Sequence, residues 1–151
     1  MNDKANEPTV AVSLTVKNAA EALDFYTKAF GAKELFRMEA PDGSVAHAEF
    51  MIGNTQIYIS GESPEWHAFA LTEGTMASSL LAIATDSCDK SYEMAVGAGG
   101  EALSDPENQF WGMRTAIVKD PFGYRWSFRE QVEEVSPEEM MNRAQKLFSG
   151  E

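Results

Sequence analysis

Residues 112–130 read GMRTAIVKDPFGYRWSFRE, two runs of mixed apolar and polar side chains that meet at Asp120-Pro121-Phe122-Gly123. Those four residues fit a type I turn. Asp at the first position bonds the backbone ahead of it, Pro presets φ at the second, and Gly at the fourth lets the chain leave freely. The flanks are therefore expected to pair as a hairpin. On the outgoing arm Tyr124, Trp126 and Phe128 share one face while Arg125, Ser127 and Arg129 share the other, since side chains alternate at period two along a strand. The first face reads as core. The second is either plain solvent exposure or the lining of a cleft on a curled sheet.

The same patterning runs through the rest of the chain. Val10 to Val16 alternates as a first strand, and Asn18, with Glu21 three residues on, opens a helix through a capping box. Leu23, Tyr26 and Phe30 form its apolar stripe and Gly31 its stop. Lys33 to Glu39 and Ser44 to Ile52 flank the turn Pro41-Asp42-Gly43, and Thr55 to Ser60 follows Gly53-Asn54 as another strand. Residues 61–76 keep no period and read as a crossing loop. Ala77 to Thr85 is a strand, and Asp86 or Ser87 caps a helix striped by Cys88, Tyr92, Ala95 and Val96. Glu101 to Leu103 is a short strand and residues 104–111 a loop before the hairpin. The spacing from Tyr26 to Gly31-Ala32 returns from Tyr92 to Gly97-Ala98, so the chain reads as a duplicated βαβββ module, about 9–62 and 77–131 within a domain of 9–131. Residues 1–8 read as a disordered tail. Ser136-Pro137-Glu138-Glu139 then opens a C-terminal helix over 136–149.

Composition narrows the classes. A chain of 151 residues suits one domain, which at that size buries roughly 68 to 70% of its unfolded surface. Cys88 is the single cysteine, so no internal disulfide forms and no zinc site can be built on thiolates; a reducing, cytoplasmic setting is expected. No segment approaches the roughly 18 apolar residues of a membrane span. The formal net charge of -12 disfavours nucleic acid and slightly favours cationic ligands, although it also serves solubility.

FYTKAFGA at the end of the first helix, a PDG-x-x-x-HAE hairpin, the G-x-R-x-x-x-x-x-DPFG-x-x-W hairpin and the trailing SPEE helix together resemble the vicinal oxygen chelate superfamily, the glyoxalase, bleomycin-resistance and extradiol-dioxygenase group, and most of all its PhnB-like branch. The resemblance spans nearly the whole chain and implies an α+β fold. In it two βαβββ modules curl into an open, cup-shaped eight-stranded barrel with helices outside, the cup being the site and the protein a homodimer. In metal-dependent members the ligands stand on the first and last strands of each module. Residue by residue those positions carry Ala11, Tyr58, Leu80 and Ser127, which do not provide the imidazole, carboxylate or thiolate a divalent ion requires.

What remains is a set of polar residues expected on the cup face: Ser13, His47, Glu49, Gln56, Tyr58, Arg114, Arg125 and Ser127. His47 and Glu49 lie two apart on one strand, where they serve as base and orienter, as ligands of a displaced divalent metal with a third group such as His67, or as an ordinary solvent-facing pair. Arg114 is expected to project into the cup, with Thr115 and Ile117 toward the helices. There it would clamp a carboxylate, phosphate or enolate, or pair with Glu49 across the sheet. Trp66, His67, Phe110 and Trp111 in the crossing loops either wall a pocket or form satellite core and dimer contact. The leading reading is a small-molecule binder with no cofactor. A metal-dependent glyoxalase-like enzyme and a non-catalytic interaction module are the alternatives.

Overall fold

The computed structural model describes residues 8–150, so the tail expected over 1–8 lies, but for Pro8, outside the described residues. The chain divides between Thr75 and Met76 into two compact units.

The first unit runs β1 (Val12–Thr15), α1 (Ala19–Phe30), β2 (Lys33–Glu39), β3 (Val45–Ile52) and β4 (Thr55–Ser60). Its sheet has the order β1-β4-β3-β2, with β1 parallel to β4 and the other pairs antiparallel. Local chemistry sets the boundaries. Asn18 Oδ1 accepts from the Glu21 amide at 3.1 Å, and Gly31 closes α1 in the left-handed conformation at φ 66°. Asp42 Oδ1 accepts from both the amide and the hydroxyl of Ser44, which fixes the β2–β3 turn and holds the Asp42 carboxyl below its ordinary range. One sheet face is core: Leu14, Ala48, Phe50, Ile57 and Ile59 are buried against α1, where Tyr26 stacks on Phe50 at 5.4 Å between ring centres. β1 is shorter than the expected Val10–Val16: its ladder with β4 runs from Val12 to Thr15, and Val16 adds a backbone bond to the Ser60 carbonyl at 3.0 Å.

The second unit repeats this order with β5 (Leu80–Ala84), α2 (Cys88–Gly97), β6 (Glu101–Asn108), β7 (Met113–Lys119) and β8 (Arg125–Gln131), the sheet reading β5-β8-β7-β6. α3 (Pro137–Ser149) follows. Each unit is thus a βαβββ module with an open four-stranded mixed sheet, and the class is α+β. Ala116, Val118, Trp126 and Phe128 are buried on the side of α2. Asp120 anchors the hairpin: 1% exposed, it accepts from the Phe122 and Tyr124 amides through Oδ1 and from the Trp126 indole through Oδ2 at 2.9 Å. The expected turn is therefore present, and its Asp also serves the core.

Two elements of this unit also differ from expectation. β6 is an eight-residue strand where a three-residue strand and a loop were expected over 101–111. Pro106 reads as a breaker, yet β6 is the sheet edge and shifts register between Ala102 and Ser104 and again between Ser104 and Glu107, the setting in which a strand tolerates proline. β5 is shorter than Ala77 to Thr85. Residues 77 and 78 are held by the Arg125 side chain, which donates to the Ala77 and Ser78 carbonyls at 3.1 and 2.6 Å. Gly112 is required where it stands: at φ 89° its carbonyl accepts from Val132 and Glu133, and a Cβ there would lie 2.3 Å from the Glu133 oxygen.

Candidate functional site

In the first unit the strand register decides which side chains meet. Ser13 opposes Tyr58, Tyr58 opposes Glu49, and Gln56 is next along β4, opposite Met51. His47 is two residues from Glu49 on β3, opposite Ser60. Because Ala48, Phe50, Ile57 and Ile59 take the helix face, the alternation puts Ser13, His47, Glu49, Gln56 and Tyr58 together on the other. The five expected residues of this unit share one face.

Glu49 is the centre of that group. Its Oε2 accepts from Gln56 Nε2 at 2.8 Å, and its Oε1 lies 3.4 Å from His47 Nε2, both side chains being about one-third exposed. A carboxylate oxygen only accepts, so His47 Nε2 is the donor in this contact. The His47 ring also stacks on Tyr58, with centres 6.0 Å apart and planes 30° apart. Phe36 and Met38 of β2 oppose Glu49 and His47 and are half exposed, so an apolar margin borders the polar centre. Sequence reasoning missed these two and Ser60. The period of β2 would have placed them, but a register shift between Glu34 and Phe36 breaks it.

In the second unit Arg125 and Ser127 lie on the face away from α2, as expected. Arg125 spends its guanidinium on the carbonyls ahead of β5, and Ser127, 7% exposed, is opposite Ala82 and Ile117. Arg114 is a correction. It shares parity with Ala116 and Val118, so it stands on the helix side, and Thr115 and Ile117 face away. Its Nε and Nη2 form a fork on both Asp89 oxygens at 2.7 and 2.9 Å, while Nη1 donates to Asn108. That pairing raises the Arg114 pKa and lowers the Asp89 carboxyl. Beside it Glu130, opposite Arg114 in the register, accepts from the Cys88 amide at 2.9 Å. The pair thus grips the first turn of α2. Arg114 faces neither Arg125 nor Ser127, and its partner is Asp89 rather than Glu49.

Trp66 and His67 stand in the segment after β4, Trp66 ending a single 3-10 turn (Pro64–Trp66) and His67 following at φ 55°. Trp66 is 80% exposed. Phe110 and Trp111 meet edge to face in the β6–β7 turn, 4.9 Å between centres, and the Phe110 carbonyl accepts from Arg143 of α3. Among the described residues no group of three or more His, Cys, Asp or Glu comes together, so His67 does not complete a ligand set with His47 and Glu49.

The model of the Glyoxalase/Bleomycin resistance protein/Dioxygenase superfamily matches residues 9–128. The chain belongs to that superfamily. Among its relatives, an uncharacterised protein of Mycobacterium bovis is 35% identical over 138 residues, 89% of this chain and 90% of its own. Of solved structures, TioX from Micromonospora sp. ML1 superposes with TM-score 0.67 at 20% identity, covering 83% of this chain and 99% of that one. FosX of Listeria monocytogenes, determined with Mn(II) and sulfate, superposes with TM-score 0.64 at 17% identity, covering 91% and 98%. At these identities the likeness is one of fold.

The four positions where the family resemblance expects metal ligands carry none of the usual donors. Ala11 precedes β1 and is exposed, Leu80 is 44% exposed hydrocarbon, and Tyr58 and Ser127 offer only hydroxyls. A divalent first-row ion takes imidazole, carboxylate or thiolate, and none stands at these positions. Among the described residues no helix is long and apolar enough to cross a membrane.

Proposed function

We propose that this superfamily member binds a small organic molecule on the polar face of its first sheet, without the family's usual metal. The observation that carries this is Glu49 holding both His47 and Gln56 on a face the core leaves uncovered. A carboxylate with two polar neighbours and a stacked phenol is preorganised: little side-chain freedom remains to be lost when a ligand arrives. Ser13, Tyr58 and the free edge of His47 offer hydrogen bonds, and Phe36 and Met38 offer apolar contact, the mixture typical of small-molecule sites. Arg114, forked onto Asp89, and Arg125, spent on the Ala77 and Ser78 carbonyls, are assigned to structure.

A thermal-shift screen on protein purified without chelator tests the reading. Small molecules that raise Tm in the wild type, and lose that effect in Glu49→Gln, support it, since a ligand bound only to the folded state stabilises by mass action. Elemental analysis of the same preparation should find far less than one transition metal per chain. A near-stoichiometric metal lost with His47→Ala would instead support a metal-dependent lyase or isomerase.

A further inference from the structure

At the end of the first sheet lies a cleft of about 1080 Å³, bounded by the start of α1, the tip of the β2–β3 hairpin and the segment after β4. This is just above the usual range for small-molecule sites, about 300 to 1,000 Å³. Ten of the eighteen residues around it are Ala, Gly or Ser, so a flat ring can approach backbone over most of the floor. Trp66 stands at its wall. An 80% exposed indole is an unusual use of the largest apolar side chain, and here the backbone beneath it is tied down. Ser63 and Ala68 exchange two backbone hydrogen bonds at 2.9 and 3.1 Å, the Trp66 amide donates to the Ser63 carbonyl at 3.0 Å, and Glu62 accepts from the Ala70 amide at 3.0 Å. The loop spends hydrogen bonds on holding a tryptophan out of the core.

We infer that this cleft binds a planar aromatic cation, its ring stacked on Trp66 and its edge turned toward His47 and Met38. The charge follows from the wall. Asp42 and Glu62 contribute carboxylates against the single ammonium of Lys17, Ser44 keeps Asp42 ionised, and the chain carries a net charge of -12. A cation over an indole face gains further attraction from the ring quadrupole, more than over any other side chain. Met38 adds a soft, adaptable surface that tolerates rings of different outline. Among the five polar residues of the sheet face only His47 also borders the cleft, so failure of the cleft would leave the reading of that face standing.

Proflavine, a planar aromatic cation, is the probe, with 2-naphthalenesulfonate as the planar anion, both titrated at low ionic strength with calorimetric detection. Proflavine should bind saturably at one site per chain, and Trp66→Ala should weaken it at least tenfold while Trp66→Phe keeps most of the affinity. Circular dichroism should be unchanged in both variants, because the exposed indole contributes little to the core. The sulfonate should bind at least tenfold more weakly than proflavine. Wild-type affinity in Trp66→Ala, equal affinity for the sulfonate, or no saturable binding of proflavine would each overturn the inference.

Discussion

Glu49, Asp120 and Arg114 show how differently three charged residues are used. Glu49→Gln keeps the shape but replaces one acceptor by a donor, so the side chain no longer offers a carboxylate that accepts from Gln56 and His47 together. At about one-third exposure the effect on stability should stay within about 1 kcal/mol, which makes the variant a clean probe of binding. Asp120→Ala should behave in the opposite way. It strands two backbone amides and the Trp126 indole in a buried turn, and a loss on the order of 3 kcal/mol is expected in urea unfolding. Arg114→Ala should lower Tm by a few degrees through release of Asp89 and leave binding to the first unit unchanged. The pH dependence has a definite sign. The folded Asp89 pKa is depressed below its ordinary 3.8, so its contribution is complete above that value and is lost as pH falls below it. Arg114→Ala should flatten the acid limb of the stability curve. Asn18, Asp120 and Ser136 were legible in the sequence because capping and turn chemistry is local. The side taken by Arg114 was not: Thr115-Ala116-Ile117-Val118 is nearly as apolar on one face as on the other, so alternation showed which residues go together without showing which face α2 covers.

Between elements, the same distinction separates α3 from β6. α3 was readable end to end, since Ser136 Oγ accepts from the Glu139 amide and Pro137 occupies the first turn. What fastens it was not readable, because the partners are distant in sequence. Arg143 forks onto Glu133 at 2.7 and 3.0 Å, bonds Glu139, and donates to the Phe110 carbonyl. Those bonds raise the Arg143 pKa and depress the Glu133 carboxyl. Arg143→Ala is expected to speed amide exchange across residues 137–149 while the strands of both sheets keep their protection; unchanged exchange in α3 would show that the ion pairs do not hold it. β6 beyond Leu103 was missed because a Ser-Asp-Pro run reads as a loop, and only the sheet reveals that an edge with two register shifts accommodates it.

For the molecule as a whole, the duplication was visible in the sequence as a recurring spacing, and it returns as two sheets with the same strand order. The substrate is not written in that order, since one fold carries many sites. Leu35, Phe36 and Met38 are exposed on edge strand β2, and apolar patches of this kind commonly mark an interface, so light scattering at micromolar concentration should report a homodimer. A monomer would contradict that. The central claim is that the polar face of the first sheet binds a small molecule around Glu49, and amide and side-chain shift mapping of a fragment library on isotope-labelled protein tests it most directly. The account predicts perturbations centred on Ser13, His47, Glu49, Gln56 and Tyr58 that vanish in Glu49→Gln. No perturbation of these five residues by any hit, or perturbations of them that persist unchanged in Glu49→Gln, would contradict it.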